Sequence, residues 1–398
     1  MADRAPLYPI SRQHLEALTG ELGILQHAAG SRPDPAHGYC VDDVARALEV
    51  DLLHARGLGW HQVAGSAGKS LRFLEDAFDT DTGRFRNFRS IDGSWTGGPA
   101  SDDSFARAML ALGETIDAAP DARVLDRAIE LFGRALPAAG KVTSPRAQAS
   151  IILACDAVAR SRAVAGIEEG RELALGAASS AVLRRLATDL HAGFLERAQP
   201  GWPWPEKALT YENALLPRAL IVGGRRLCAD LMLAIGLQVL DWLIEEQTAP
   251  EGHFSPVGNG WWPRGGTKSP FDQQPIEATA LLLAAEAAYD ATRAPHYLEA
   301  MERAYAWFLG GNDRSLHIAD PARGACFDGL TSTGVNTNEG AESTLMWLIA
   351  AERIRRMRAR TPRVRLATPT VTATAPVARL AAAPSTLVAA AAARVLPQ

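Results

Sequence analysis

Carboxylates, amides and indoles gather on this chain in one recurring setting: at the start of a helix too apolar to face water on any side. The stretch 271–289, FDQQPIEATALLLAAEAAY, shows the pattern. Asp272, Gln273 and Gln274 precede Pro275 and Glu277, and the helix that follows is apolar all round, the mark of a buried one. Pro275 suits a first helical turn, where its missing N–H has no intrahelical partner to lose. Comparable starts carry Asp42 with Asp43, Asp102 with Asp103, Glu212 with Asn213, and Asn336, Asn338, Glu339 and Glu342, with Asp328 shortly before. His37 precedes the first of them, and Trp95, Trp202, Trp204, Tyr211, Trp261 and Trp262 lie in the segments leading in.

Such a set is what a sugar site requires. Pyranose faces stack on aromatic rings, carboxylates and amides bridge hydroxyls, and a carboxylate pair can cleave an acetal by acid–base chemistry. Capping and the helix dipole would explain any single acid at a helix start, at about 0.3–1 kcal/mol. They explain the whole set less well, because Asp–Asp is doubled at 42–43 and at 102–103. One start, SPRAQAS at 144–150, carries no acid. Trp242, Trp307 and Trp347 fall inside helices and read as core, whereas Trp202, Trp204, Trp261 and Trp262 sit in Gly/Pro-rich loops and read as stacking platforms.

These residues need a scaffold that brings distant helix starts together. Buried-type helices fall near 38–56, 101–118, 144–163, 210–222, 271–290 and 337–356. Amphipathic helices fall between them, near 11–28, 60–79, 121–136, 170–198, 225–247 and 296–310. Alternation of the two kinds predicts helical hairpins closed into a ring, inner helices within and amphipathic ones outside. The fold class expected is therefore all-α, an (α/α)6 toroid over residues 8–356. The long Gly-, Pro- and aromatic-rich connections all lead into inner helices, some as short β-hairpins such as the one turning at Asp92–Gly93. Function is expected at that end. Residues 357–398, rich in Ala, Pro and Arg, are expected to be a disordered tail.

Composition narrows the partners. From Arg353 onward there are nine Arg and no acid, so the rest holds 32 basic against 45 acidic residues, a balance of −13. An acidic body argues against nucleic acid. No apolar run reaches the ~18–20 residues that span a bilayer. The N-terminus lacks the apolar core of a signal peptide. Cys40, Cys155, Cys228 and Cys326 are scattered without a CxxC, which points to a reducing cytoplasm and no metal site. GxGxxG, GxxxxGK[ST] and GxSxG are absent, and no cofactor is expected. VDDVA at 41–45 resembles the aspartate-rich motif of terpene cyclases, but Cys40 stands where that motif has its leading acid.

The blocks HGYCVDDVARAL, SDDSFARAMLALG, GWPWPE…LTYENALLPRALI, FDQQPIEA and CFDGL…VNTNEGAESTLMWLIA together resemble a group of bacterial six-hairpin glycosidase-like proteins. These are commonly labelled glycosyltransferases or found beside them. The resemblance implies the (α/α)6 fold, carbohydrate chemistry and a glycosyltransferase as possible partner. It extends at fold level to glucoamylases, unsaturated glucuronyl hydrolases and N-acylglucosamine epimerases.

On these grounds the chain is expected to be a cytoplasmic glycoside hydrolase acting on a small oligosaccharide. Asp103 and Glu277 are the expected acid–base pair, with Glu339 third. His37, Asp42, Asp43, Trp95, Asp102, Trp202, Trp204, Tyr211, Glu212, Asn213, Trp261, Trp262, Asp272, Gln273 and Asn338 are the expected substrate contacts. A sugar epimerase working through histidines such as His37 and His253 is one alternative. A glycan-binding, non-catalytic partner of a glycosyltransferase is the other.

Overall fold

The computed structural model describes residues 4–99, 101–161 and 171–361. Its inner helices are α2 (Val41–Leu58), α4 (Asp102–Ala118), α6 (Pro145–Arg160), α8 (Leu215–Leu227), α10 (Pro275–Thr292) and α12 (Ala341–Arg360). Each packs on the next, and α12 returns to α2. Outside them lie α3 (Trp60–Ala77), α5 (Ala122–Ala139), α7 (Arg171–Arg197), α9 (Asp230–Glu246) and α11 (Pro295–Phe308). The short α1 (Gln13–Leu18) packs on α12 as the sixth outer element. An (α/α)6 toroid is thus the architecture. No helix among the described residues is long and apolar enough to cross a membrane.

Local chemistry explains where the helices begin. Ser101 caps α4 by accepting from the Ser104 N–H, and Asp121 caps α5 through the N–H groups of Arg123 and Val124. Pro145, Pro275 and Pro295 open α6, α10 and α11. The inner helices are buried on nearly every side: in α10 the run from Pro275 to Leu282 is buried without a break. Their polar side chains can therefore point only into the ring's lumen or at its ends.

The first outer segment departs from expectation. Instead of a helix over 11–28, α1 ends at Leu18 and the chain forms a hairpin, β1 (Leu25–Ala29) on β2 (Arg32–Cys40). Gly20 and Gly23 each cost a helix about 1 kcal/mol, and Gly30 turns the chain at φ 59°. Pro33 and Pro35 then keep it extended. The hairpin joins β4 (Arg84–Arg89), which also pairs β3 (Phe78–Asp79) and β5 (Trp95–Pro99), the last through the expected turn at Gly93. At the other end of the chain α12 runs four residues past the expected boundary at 356, held by Arg358 on Glu302 and Arg360 on Asp290. The expected tail from 362 onward lies outside the described residues.

Inner helices approach closely at Gly113 of α4, where an added Cβ would stand 2.5 Å from the Ala154 carbonyl oxygen of α6. Gly113→Ala should destabilise the ring by about 1–3 kcal/mol through overpacking, although alanine is the better helix former. Urea unfolding of the variant measures this, and an unchanged or higher midpoint would show that the two helices can separate freely.

Candidate functional site

One polar network at the end where inner helices begin draws on five of them and on the turn that leads into the sixth, α8. From α2, Asp43 accepts hydrogen bonds from Cys40 Sγ and from Arg46 Nη1, each at 3.1 Å. Arg46 reaches on to Glu342 of α12 at 2.9 Å. Asp42 accepts from Ser104 Oγ of α4 at 2.6 Å and lies 3.5 Å from Arg107 Nε. Arg107 pairs with Glu212, just before α8, at 2.6 Å. Glu277 of α10 accepts from the Glu212 N–H and, at 3.1 Å, from Asn213 Nδ2. Arg146 of α6 donates to the Tyr211 carbonyl at 2.7 Å, to Thr210 Oγ1 and to Glu206, with its guanidinium 4.5 Å from the Tyr211 ring centroid. Ser144 and the Tyr211 hydroxyl both donate to Asp103.

Consecutive residues of one turn therefore hold the two expected catalytic carboxyls, Tyr211 on Asp103 and Glu212 on Glu277. Glu212 takes φ 48°, a left-handed conformation in which the Tyr211 ring stays partly exposed, at 37%, while the Glu212 side chain turns inward. The acids differ in charge state. Burial pushes Glu277 up to about 7, and donors from Asn213 and Glu212 with the Arg146 charge only partly offset it. Asp43 rises to about 6, again by burial, against the pull of Arg46. Burial would raise Glu212 as well, but Arg107, with Arg46 and Arg146 beyond it, holds its carboxyl below the ordinary value.

Other expected residues are placed elsewhere. Asp102 turns outward to Arg84 at 2.8 Å and to the Thr143 N–H. Glu339 is clamped by both Arg323 Nη atoms beside His14, at the junction with α1 rather than in the network. Gln273 is fully buried between Trp307 and Asp313, and Asn338 pins the β1–β2 turn by accepting from the Gly30 N–H. Asp272 is exposed, its backbone carbonyl taken by Asn259 N–H. His37 is exposed on β2 against His27.

The tryptophans divide as well. Trp202 and Trp204 are buried in an aromatic cluster with Phe194, Trp242 and Trp262, so neither offers a face to a ligand. Their indole N–H groups reach the Glu206 and Ala208 carbonyls, which folds the Gly/Pro loop onto the core. Trp261 stands 49% exposed, and Trp95 is half-buried between Phe73, Arg86 and Arg89.

Sequence reading missed the cations of the network, Arg46, Arg107 and Arg146. A signal was present: DDVAR and DDSFAR each place an arginine one turn beyond the acid pair, on a helix with no wet face. The acid-free start SPRAQAS contributes Arg146 instead.

Removing Arg107 leaves Glu212 and Asp42 uncompensated, so Arg107→Met should cost about 3–5 kcal/mol, and Arg107→Lys less, by thermal or urea unfolding. Glu277 gives a pH test. Its raised value means that between about pH 4.5 and 7 the unfolded chain releases a proton the folded chain keeps, so its contribution to stability declines as pH rises through that window. The stability of the wild type relative to Glu277→Gln should accordingly fall from pH 4.5 to 7 and level off above; a flat difference would place the ordinary value on Glu277.

No protein-family model and no curated protein sequence matches the chain. Solved structures do. Cellobiose 2-epimerase from Spirochaeta thermophila superposes with TM-score 0.61 at 14% identity, over 84% of this chain and 90% of that one. A D-mannose isomerase gives 0.59 at 11% identity, over 87% and 96%. A family 76 glycoside hydrolase from a bovine Bacteroides thetaiotaomicron strain gives 0.51 at 10% identity, over 87% and 77%. A glycosyltransferase label finds no counterpart among these structures. The chain has the six-hairpin toroid fold that carbohydrate-active epimerases, isomerases and glycoside hydrolases share.

Proposed function

We propose that the chain is a glycoside hydrolase acting on a small oligosaccharide at the end of the ring where inner helices begin. Glu277 is the proton donor and Asp103 the carboxylate that activates water. The observation that carries this reading is the Glu277 carboxyl, buried and pushed up to about 7, facing only donors: the Glu212 and Asn213 N–H groups and Asn213 Nδ2. A protonated Glu277 thus has an O–H that none of these partners can accept, free for a glycosidic oxygen. Asp103, half-buried and hydroxyl-bound, supplies the second carboxyl.

The chemistry balances on those two groups. Glu277 gives its proton to the leaving oxygen as the glycosidic bond breaks. Water attacks the anomeric carbon from the other face and loses a proton to Asp103. Both carboxyls then return to their starting states through solvent. An inverting outcome would need the two about 6.5–9.5 Å apart. Asp42, Arg107, Arg146 and Tyr211 would grip hydroxyls, and Trp261 is the exposed ring for stacking.

A second reading, sugar epimerisation or isomerisation, draws support from the superposition on the two structures of that kind. It needs a base beside a sugar carbonyl. The histidines give it little help: His54 is held by Arg12 and pushed down to about 3, chiefly by burial, and His253 is tied to Asp313.

An oligosaccharide panel assayed for new reducing ends tests the first reading. Glu277→Gln and Asp103→Asn should each lower turnover by roughly 10²–10⁴ with unchanged circular dichroism. Full turnover in Glu277→Gln would remove it from the mechanism. Deuterium appearing beside the carbonyl of free sugars in D₂O, without new reducing ends, would replace hydrolysis by the second reading.

A further inference from the structure

A cavity of about 480 Å³ lies at the opposite end, among residues of all six inner helices. It lies among charges. Glu49, Glu114, Asp117, Asp156, Glu286 and Asp290 are all paired there, shared among Arg160, Arg226, Arg353 and Arg360. Four further arginines, Arg56, Arg218, Arg225 and Arg356, line the same cavity with no carboxylate within ion-pair distance among the described residues. Eight guanidiniums thus face six carboxylates, an excess of two positive charges in a chain whose net charge is −4.

Helix-dipole compensation accounts for part of this. Arg56, Arg160, Arg225, Arg226 and Arg360 stand in last helical turns, where a cation is favoured by about 0.3–1 kcal/mol. It does not account for Arg218, which sits in the first turn of α8, where the dipole opposes it. Nor does it account for Arg353 in mid-helix, whose buried Nε has no hydrogen-bond partner. Burial and the Arg353 charge hold Arg218 below the ordinary guanidinium value, outweighing Glu49, Glu114 and Glu286. Burial with Arg353 and Arg56 does the same to Arg356. Arg218 and Arg356 are thus under-compensated, whereas Arg353 is met by Glu49 and Glu286.

We propose that this cavity binds a small phosphate monoester of a sugar or polyol. Arg56, Arg218 and Arg356 would hold the phosphate, whose geometry the guanidinium fork matches. Glu49 and Glu286 would accept from hydroxyls with lone pairs that Arg353 leaves free. The volume suits one such molecule. The inference stands apart from the hydrolase reading, which concerns the other end of the ring.

Calorimetry on the full chain tests it with inorganic phosphate, glucose 6-phosphate and glucose. Both phosphates should bind and glucose should not, with affinity falling as salt rises. Arg356→Gln, at the partly exposed rim, should weaken binding about tenfold or more, as loss of a charge-assisted hydrogen bond implies. Arg218→Gln should do the same, with circular dichroism reporting its fold. Glu277→Gln should bind as the wild type does, which separates the two ends. No heat with either phosphate, or binding indifferent to Arg356→Gln and to a folded Arg218→Gln, would overturn the assignment.

Discussion

Pairing of buried guanidiniums with buried carboxylates is the constraint on which the ring depends. Inner helices wrapped by outer ones have little wet face, and many of the charges they carry are met by a charge on a neighbouring inner helix. Arg46 ties α2 to α12, Arg107 ties α4 to both α2 and the turn before α8, and Arg353 spans from α12 to α2 and α10. Each ion taken from water costs several kcal/mol, and the partner's attraction recovers that only with good geometry. The network therefore contributes little net stability. It does penalise any arrangement in which the helices meet in another register, because that would strand an ion.

The six inner helices run in one direction, so their dipoles add. Acids crowd the starts, where the field is positive, and arginines crowd the ends, where it is negative. α4 and α10 end on Asp117 and Asp290 instead, and these carboxylates are taken up by Arg160 and Arg360 from the helices beside them. Against that background Glu277 stands out. A carboxyl in a first helical turn, with three donors on it, would ordinarily sit low; burial at 4% exposure overrides both effects. The field that favours a charged acid at a helix start is outweighed by burial at Glu277.

Much of this was legible from residue types. Ring closure followed from helices such as PIEATALLLAAEAAY, apolar on all sides and so in need of neighbours on all sides. That the acid-bearing starts meet followed from where the long loops fall. The direction of individual side chains did not follow. Asp102 and Asp103 are adjacent on one helix, about 100° apart, and in the fold the first faces Arg84 and the second Tyr211. Trp202 and Trp204 look like platforms in a Gly/Pro loop, but their N–H groups close onto loop carbonyls and bury the rings. Residues 11–28 have helical periodicity, and Gly20 and Gly23 within them, with Pro33 and Pro35 just beyond, outweigh it. The arginines were legible in principle, as a lone cation one turn beyond an acid pair on a helix without a wet face.

Compensation also explains why the two ends of the ring can do different things on one set of helices. At the starts every arginine of the network has a carboxylate partner, and two acids, Glu277 and Asp43, are raised by burial. At the far end every acid lining the cavity has an arginine, and two cations, Arg218 and Arg356, are held below their ordinary value. An uncompensated buried group is the one whose energy a ligand can lower most, because the cost of its burial is already incurred in the folded chain. A proton held on a carboxyl invites a basic oxygen, and an unpaired guanidinium invites an anion. The same bookkeeping of charge that holds the helices in register thus leaves a raised carboxyl buried at one end and under-compensated guanidiniums at the other.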